Sequence, residues 1–383
     1  MTPDFDELRA SFPTLLERTY FSTHGFGPLL RQTLDDLDDY RRTLAPRNRV
    51  VEAWSAQIDE TRELVARLVG ALPDEIALGP NATACQASIA AALVPSAERD
   101  VILTTSLDFP SSRYLWHAQA RRGFRIVEVP SRDGIAMPLD DLLAAIDERV
   151  AAVAIPLVAW NGAMLRSAPL IAAAHAAGAI VVLDASQAAG IVPIDVRAMG
   201  VDALVSGTNK WLSSGSTGLA FLYVRRSLAQ RLAPAYPGWF AHVDPRAFAG
   251  EFEPALGARR FEQGSPAIEP LYAAHAGLRF ALETGVDAMR ARSFDLTDRL
   301  IAGIDALGIN LTTPRSHDER GGLICLDLPD ADRAALRFAE MAIDVDTRPG
   351  IGMRVSCHPC NSVDECNRLL AALAAFQHDL RAR

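Results

Sequence analysis

The chain has 383 residues, 49% of them hydrophobic and 22% charged, with 38 basic against 47 acidic side chains and a formal net charge of -9. This balance gives no basic footprint for nucleic acid or for an anionic membrane surface, so both are excluded as partners. Of the 38 basic residues, 37 are arginine and one, Lys210, is lysine. An arginine-rich bias accounts for the 37. The exception is either a remnant of that bias or a position that needs an amine able to lose its proton, which a guanidinium cannot do.

In chain order, the first residues carry Asp4, Asp6, Glu7 and Arg9 where a signal peptide has a basic start and an apolar run. The stretch 168–183 is the most apolar long one, but it contains His175 and ends at Asp184, short of the roughly 18 residues of a membrane span. These features lead to the expectation of a soluble, cytoplasmic protein. A candidate helix rich in alanine covers 82–93. Apolar runs at 101–104, 125–129, 151–156, 179–183, 203–206 and 219–224 then alternate with helical stretches at 138–150 and 169–178. Continuously apolar strands between helices indicate an α/β fold with a mostly parallel sheet covered on both faces.

Beyond residue 225, Pro234, Pro237, Gly238, Pro245, Gly250 and Gly257 interrupt any regular pattern. Helical periodicity resumes from 269 to 299, ahead of a strand at 323–326. The domains expected are an N-terminal segment 1–20 packing with the small domain, a large domain 21–255 and a small domain 256–383. The five cysteines (Cys85, Cys325, Cys357, Cys360 and Cys366) are an odd number and form no disulfide framework. Cys357 and Cys360 have C-x-x-C spacing without the second pair that a structural zinc site shows, so ordinary reduced thiols are expected and no metal.

Three segments carry candidate chemistry. Asp184 follows the strand at 179–183, at the sheet edge where open α/β folds bind ligands. Lys210 follows the strand at 203–206, and the two groups suit either a structural ion pair or a reactive pair in one crevice. Asn81-Ala82-Thr83 opens the alanine-rich helix, where free N–H groups suit an anion or simply an ordinary cap.

Together these segments resemble the pyridoxal-phosphate (PLP) enzymes of the class V aminotransferase family, of fold type I. That family includes cysteine desulfurases, kynureninases and isopenicillin N epimerase-like proteins. The match is most specific in Asp184-Ala-Ser-Gln187, Val201-Asp-Ala-Leu204, Lys210-Trp-Leu212 and Thr217–Val224. The resemblance implies a large domain with a mostly parallel seven-stranded sheet, a smaller α+β C-terminal domain, and Lys210 holding PLP as a Schiff base.

It also implies that Asp184 keeps the pyridine nitrogen protonated, that Gln187 and Asn161 face the ring hydroxyl, and that Phe109 of Asp108-Phe-Pro-Ser111 stacks on the ring. Ala82, Thr83, Ser206 and Thr208 would hold the phosphate, with Asn209 standing where the family usually has histidine. Gly264 and Ser265 of Phe261-Glu-Gln-Gly-Ser-Pro266 would come from the other subunit, making a homodimer with a shared site. Arg354, or nearby Arg348, would bind the substrate α-carboxylate, and His24 of the Tyr20–Pro28 stretch would line the substrate pocket. From the residues alone, Asn161-Gly162 is also a turn dipeptide.

Only six positions separate Arg348 from Arg354, leaving no room for the cysteine-bearing loop of a cysteine desulfurase. An enzyme acting at the α-carbon of an amino acid is therefore expected, an aminotransferase first, with an elimination lyase or an epimerase as alternatives. A protein of this fold without catalysis is disfavoured by the retained lysine. A nucleotide-dependent oxidoreductase is disfavoured because no G-x-G-x-x-G run follows the first strand.

Overall fold

The computed structural model describes residues 3–48 and 50–382. Its strands are β1 (Thr19–Tyr20), β2 (Ile76–Gly79), β3 (Val101–Thr105), β4 (Arg125–Val129), β5 (Val150–Pro156), β6 (Ile180–Asp184), β7 (Ala203–Gly207) and β8 (Ala220–Val224), followed by β9 (Asn310–Leu311), β10 (Leu323–Asp327), β11 (Ile343–Asp344), β12 (Asp346–Arg348) and β13 (Gly352–Ser356). Seven of them form the central sheet in the order β2-β8-β7-β6-β5-β3-β4. The block from β4 to β7 is parallel, and β8 and β2 join it antiparallel. Val153, Val181, Leu183 and Leu204 sit in a core on one face, and Ala154, Val182 and Val205 in a core on the other. Burial on both faces is why these strands read as unbroken apolar runs.

Where sequence periodicity and structure part, local hydrogen bonding decides. The stretch 138–150 is helical only over Leu139–Ala144, because Asp147 Oδ1 accepts the Arg149 N–H in a turn that feeds β5. The stretch 269–299 is two helices, Glu269–Thr284 and Val286–Ala306, separated by Gly285 at φ +83°, a left-handed conformation that suits glycine.

A second core forms around the antiparallel sheet β12-β13-β10-β9 and helices Ala331–Glu340 and Val363–Arg381. Apart from Phe21, its buried members lie at Leu296 and beyond. Helix Glu269–Thr284 packs on helices Arg31–Thr43 and Val50–Val69 of the first unit, and helix Val286–Ala306 carries Met289 into the first core but Leu296, Leu300 and Ile304 into the second. The N-terminal segment serves both units. Phe5, Phe12 and Leu15 join the first core, while β1 pairs with β11 and Arg18 bonds Asp344 at 2.7 Å in the second. Among the described residues no helix is long and apolar enough to cross a membrane.

Candidate active site

The parallel strands β5, β6 and β7 end on one edge of the sheet, and there they meet the start of helix Ala82–Ala92. An open cavity lies at this edge. Its wall includes Ala82, Thr83, Phe109, Trp160, Asp184, Gln187, Asn209 and Lys210. Asn81 caps the helix by accepting the Ala84 N–H on its side chain at 2.9 Å, which leaves the N–H groups of Ala82 and Thr83 facing the opening. That arrangement suits a phosphate.

Asp184 terminates β6 and is held by three donors. Gln86 Nε2 reaches Oδ2 at 2.8 Å, Ser112 Oγ reaches the same oxygen at 3.2 Å, and the Ser186 N–H reaches Oδ1 at 2.8 Å. Gln86 is fixed in turn by the Trp116 indole N–H, which donates to its Oε1 at 3.0 Å. Gln86 lies one turn past Ala82 on the same helix, and that i, i+4 spacing is the signal by which the sequence could have shown it. Asp108 lines the cavity beside Asp184. Burial pushes its carboxyl well above the usual carboxylate range, the neighbouring Asp184 charge pushes it further, and the Phe109 N–H that donates to it works against them.

Lys210 stands three residues past the end of β7. Burial, the largest influence, lowers its amine below the ordinary lysine value; Asp184 opposes this and Arg354 adds to it. Its Nζ lies 5.7 Å from the centre of the Phe109 ring, which is partly exposed on the cavity wall and meets Trp160 edge-on at 6.4 Å. The loop carrying Lys210 is clamped by the Tyr20–Pro28 stretch. The Gly27 N–H donates to the Asn209 carbonyl at 2.8 Å, and a Cβ on Gly27 would lie 2.2 Å from the Lys210 carbonyl oxygen. That close approach explains a glycine which belongs to no nucleotide-binding fingerprint.

Several expected residues are engaged elsewhere. The Asn161 amide donates to the carbonyls of Gly134 and Ile135 at 3.1 and 2.9 Å and accepts the Ala163 N–H at 3.0 Å, so it pins a loop and does not line the cavity. Ser206 donates to the Gly207 carbonyl at 2.8 Å and Thr208 to the Leu219 carbonyl at 3.2 Å; both are buried behind the wall. Gln187 does reach the cavity, but its Nε2 donates to the His24 carbonyl at 2.9 Å and its Oε1 accepts the Trp211 indole N–H at 3.3 Å. Gly264 and Ser265 line an adjoining cavity of about 870 Å³, which shares Pro80, Gly218 and Leu219 with the first.

On the small-domain side, Arg354 of β13 is buried. It bonds Asp346 through Nη2 and the Trp160 carbonyl through Nη1 at 3.4 Å. Arg348 is exposed and also bonds Asp346. His24 is buried against the same carboxylate and does not line the cavity: its Nε2 lies 3.2 Å from Asp346 Oδ2 and its Nδ1 lies 2.9 Å from Ser356 Oγ. Burial lowers its imidazole to about 4, so it is neutral at physiological pH.

None of the five cysteines is exposed, and burial pushes the thiols of Cys85, Cys325 and Cys360 up to about 12. Thiols held that high carry no nucleophilic thiolate. Among the described residues no cluster has a metal-ligand arrangement.

A family model described as Aminotransferase class-V matches residues 25–374. The chain belongs to the class V aminotransferase family. Across 374 residues it is 29% identical to an uncharacterized aminotransferase, YcbU, of Bacillus subtilis (strain 168), covering 97% of each chain. Against the isopenicillin N epimerase of Streptomyces clavuligerus it is 30% identical, covering 97% of this chain and 98% of the relative. A solved structure of C-DES with glycine covalently linked to its PLP cofactor matches with a TM-score of 0.86 at 23% identity, over 97% of this chain and 99% of the other. The fold is that of the fold-type I PLP enzymes, and the cofactor of this class V enzyme is pyridoxal 5'-phosphate.

The residues present fit that group: an amine in Lys210, a triply hydrogen-bonded carboxylate in Asp184, and an open helix start at Ala82 and Thr83 for the phosphate. PLP, when bound, supplies an electron sink for breaking a bond at the substrate α-carbon. Lys210 is the residue that would hold it through its amine, which burial lowers below the ordinary lysine value.

Proposed function

We propose that this protein is a cytoplasmic homodimeric aminotransferase, transferring the α-amino group of an amino acid to a keto acid. The observation that carries the proposal is Lys210, the one lysine of the chain, set on the cavity wall with Asp184 and with its amine lowered by burial. Lys210, Asp108 and Asp184 are the only titratable groups on the cavity wall among the described residues. Lys210 is the one amine on this wall and the proposed carrier of the α-proton, and one shuttling base suits transamination.

Ala82, Thr83, Phe109, Asp184, Gln187 and Lys210 form the proposed cofactor site within the chain. Gly264 and Ser265, from the neighbouring cavity, would complete it across a dimer. Arg354 is the proposed receptor for the α-carboxylate, because its fork of donors allows two-point contact. The tight turn between β12 and β13 leaves only Pro349, Gly350 and Ile351 between the strands, and all five thiols are buried, so a desulfurase with a cysteine nucleophile is disfavoured.

The test is a screen of L- and D-amino acids with the PLP-loaded protein, with and without a keto-acid acceptor. Keto-acid product that exceeds one equivalent per active site only when acceptor is present supports transamination. Product formed without acceptor beyond that equivalent indicates elimination, and loss of optical activity without keto acid indicates epimerisation; either would overturn the proposal.

A further inference from the structure

Asp346 and Arg354 are direct register partners across the antiparallel pair β12–β13. Their side chains meet as a largely buried ion pair, and the remaining contacts of the carboxylate come from one other element and from the end of its own strand. His24, from the Tyr20–Pro28 stretch, donates through Nε2 to Oδ2, and Arg348, at the far end of β12, bonds Oδ1. Desolvation by itself raises the Asp346 carboxyl, but the hydrogen bonds from His24 and Arg354 outweigh it and hold the group well below the usual carboxylate range. Asp346 is therefore a charge fixed by its strand and by three donors.

Arg354 is not closed off in the same way. Its Nε is buried without a partner, and Nη1 has only the 3.4 Å contact to the carbonyl of Trp160, a cavity-wall residue. An unsatisfied buried donor is costly, so the orphan calls for an acceptor. The guanidinium is held at one edge by Asp346, and its other edge lies buried behind the Trp160 backbone of the cavity wall without lining the cavity itself. The charges also balance in a telling way. Arg348, Arg354 and Asp346 sum to one positive charge with His24 neutral, and one incoming carboxylate brings the group to neutrality.

We propose that Asp346 is a positioning residue for the reaction: it fixes the Arg354 guanidinium for a single substrate α-carboxylate and supplies its counter-charge. Neutral His24 completes the device by locking Asp346 from the opposite side. Its main-chain carbonyl meanwhile accepts the Gln187 amide, so one residue ties the carboxylate end of the site to the cofactor end. The charged groups whose fields reach Lys210 are Asp184 from β6 and Arg354 from β13. This inference rests on Arg354 receiving the carboxylate.

The experiment uses the PLP-loaded protein and two spectroscopic readouts, with Asp346→Asn, Asp346→Glu and Arg354→Gln run beside wild type. The first is the pH at which the visible band of the holoenzyme titrates. Asp346→Asn removes a negative charge beside Arg354, so the midpoint falls; Asp346→Glu keeps the charge and holds the wild-type midpoint. The second is the dissociation constant of a simple monocarboxylic amino acid, L-alanine, read from the change in the visible band. Both Asp346 variants lose the strand-fixed geometry and bind about tenfold more weakly. If Asp346→Asn titrates and binds like wild type while Arg354→Gln loses binding, this inference is overturned and the carboxylate assignment survives. If Arg354→Gln binds like wild type, the carboxylate assignment falls, and the inference with it.

Discussion

Gln86→Met tests how much the Asp184 network contributes. The substitution keeps chain length and helix propensity, but it removes the 2.8 Å donor to Asp184 Oδ2 and the acceptor of the Trp116 indole N–H. A hydrogen bond to a charged group contributes about 1.5–3 kcal/mol, and that loss falls on the acid expected to keep the cofactor ring protonated. Trp116 is among the largest fully buried side chains, so its stranded N–H costs a further ~1–3 kcal/mol, felt as stability of the apoprotein. The first quantity converts to about a 10- to 150-fold loss in turnover, since 1.4 kcal/mol is a factor of about ten. Single-turnover kinetics on the loaded protein measure the first effect, and denaturant unfolding of the apoprotein measures the second. Ser112→Ala supplies the internal control: its bond to the same oxygen is longer, 3.2 Å, and its loss should cost less. Because Gln86 also donates to Ser112 Oγ at 2.9 Å, the double variant should fall short of the sum of the singles. A Gln86→Met protein with turnover and unfolding midpoint within twofold and 0.5 kcal/mol of wild type would refute the reasoning, and Asp184 would then owe its place to its strand alone.

Lys210→Met should abolish the borohydride-stable attachment of PLP yet stabilise the apoprotein at neutral pH, because a buried amine whose folded pKa is depressed costs stability wherever the unfolded chain is protonated. That advantage should shrink as pH rises toward the ordinary lysine value of about 10.4, where the cost disappears; a pH series of unfolding curves checks the sign. Gly27→Ala should push the Lys210 loop aside, since the new methyl meets the Lys210 and Ser213 backbones at 2.2 and 2.6 Å, with a loss of about 1–3 kcal/mol in unfolding free energy and weaker PLP retention on gel filtration. Asn161→Ala should destabilise the chain by about 1–3 kcal/mol through its three lost loop bonds and leave the visible spectrum of the loaded protein unchanged; an altered spectrum would restore Asn161 to the cofactor site.

What the sequence made legible follows from how each group is positioned. Asp184 and Lys210 sit at or just beyond the ends of apolar strands, and strands buried on both faces announce themselves in one dimension. Thr83 and Phe109 stand at helix starts, which are likewise local. Asn161, Ser206 and Thr208 lie just as near to strands, but whether a short polar side chain turns to a ligand or to a neighbouring carbonyl depends on backbone that arrives from elsewhere: residues 134–135 for Asn161, residue 219 for Thr208. Asp346 was invisible for a stronger reason. Its role exists only because a three-residue strand folds back onto β13 and a histidine more than three hundred positions away closes over it. The lone lysine shows the same limit from the other side. Its uniqueness marks where an amine is needed, but the lowering of its pKa arises from burial and from Arg354 on a different domain. Composition therefore pointed to the proposed reacting group, while the lowering of its pKa is a property of the fold.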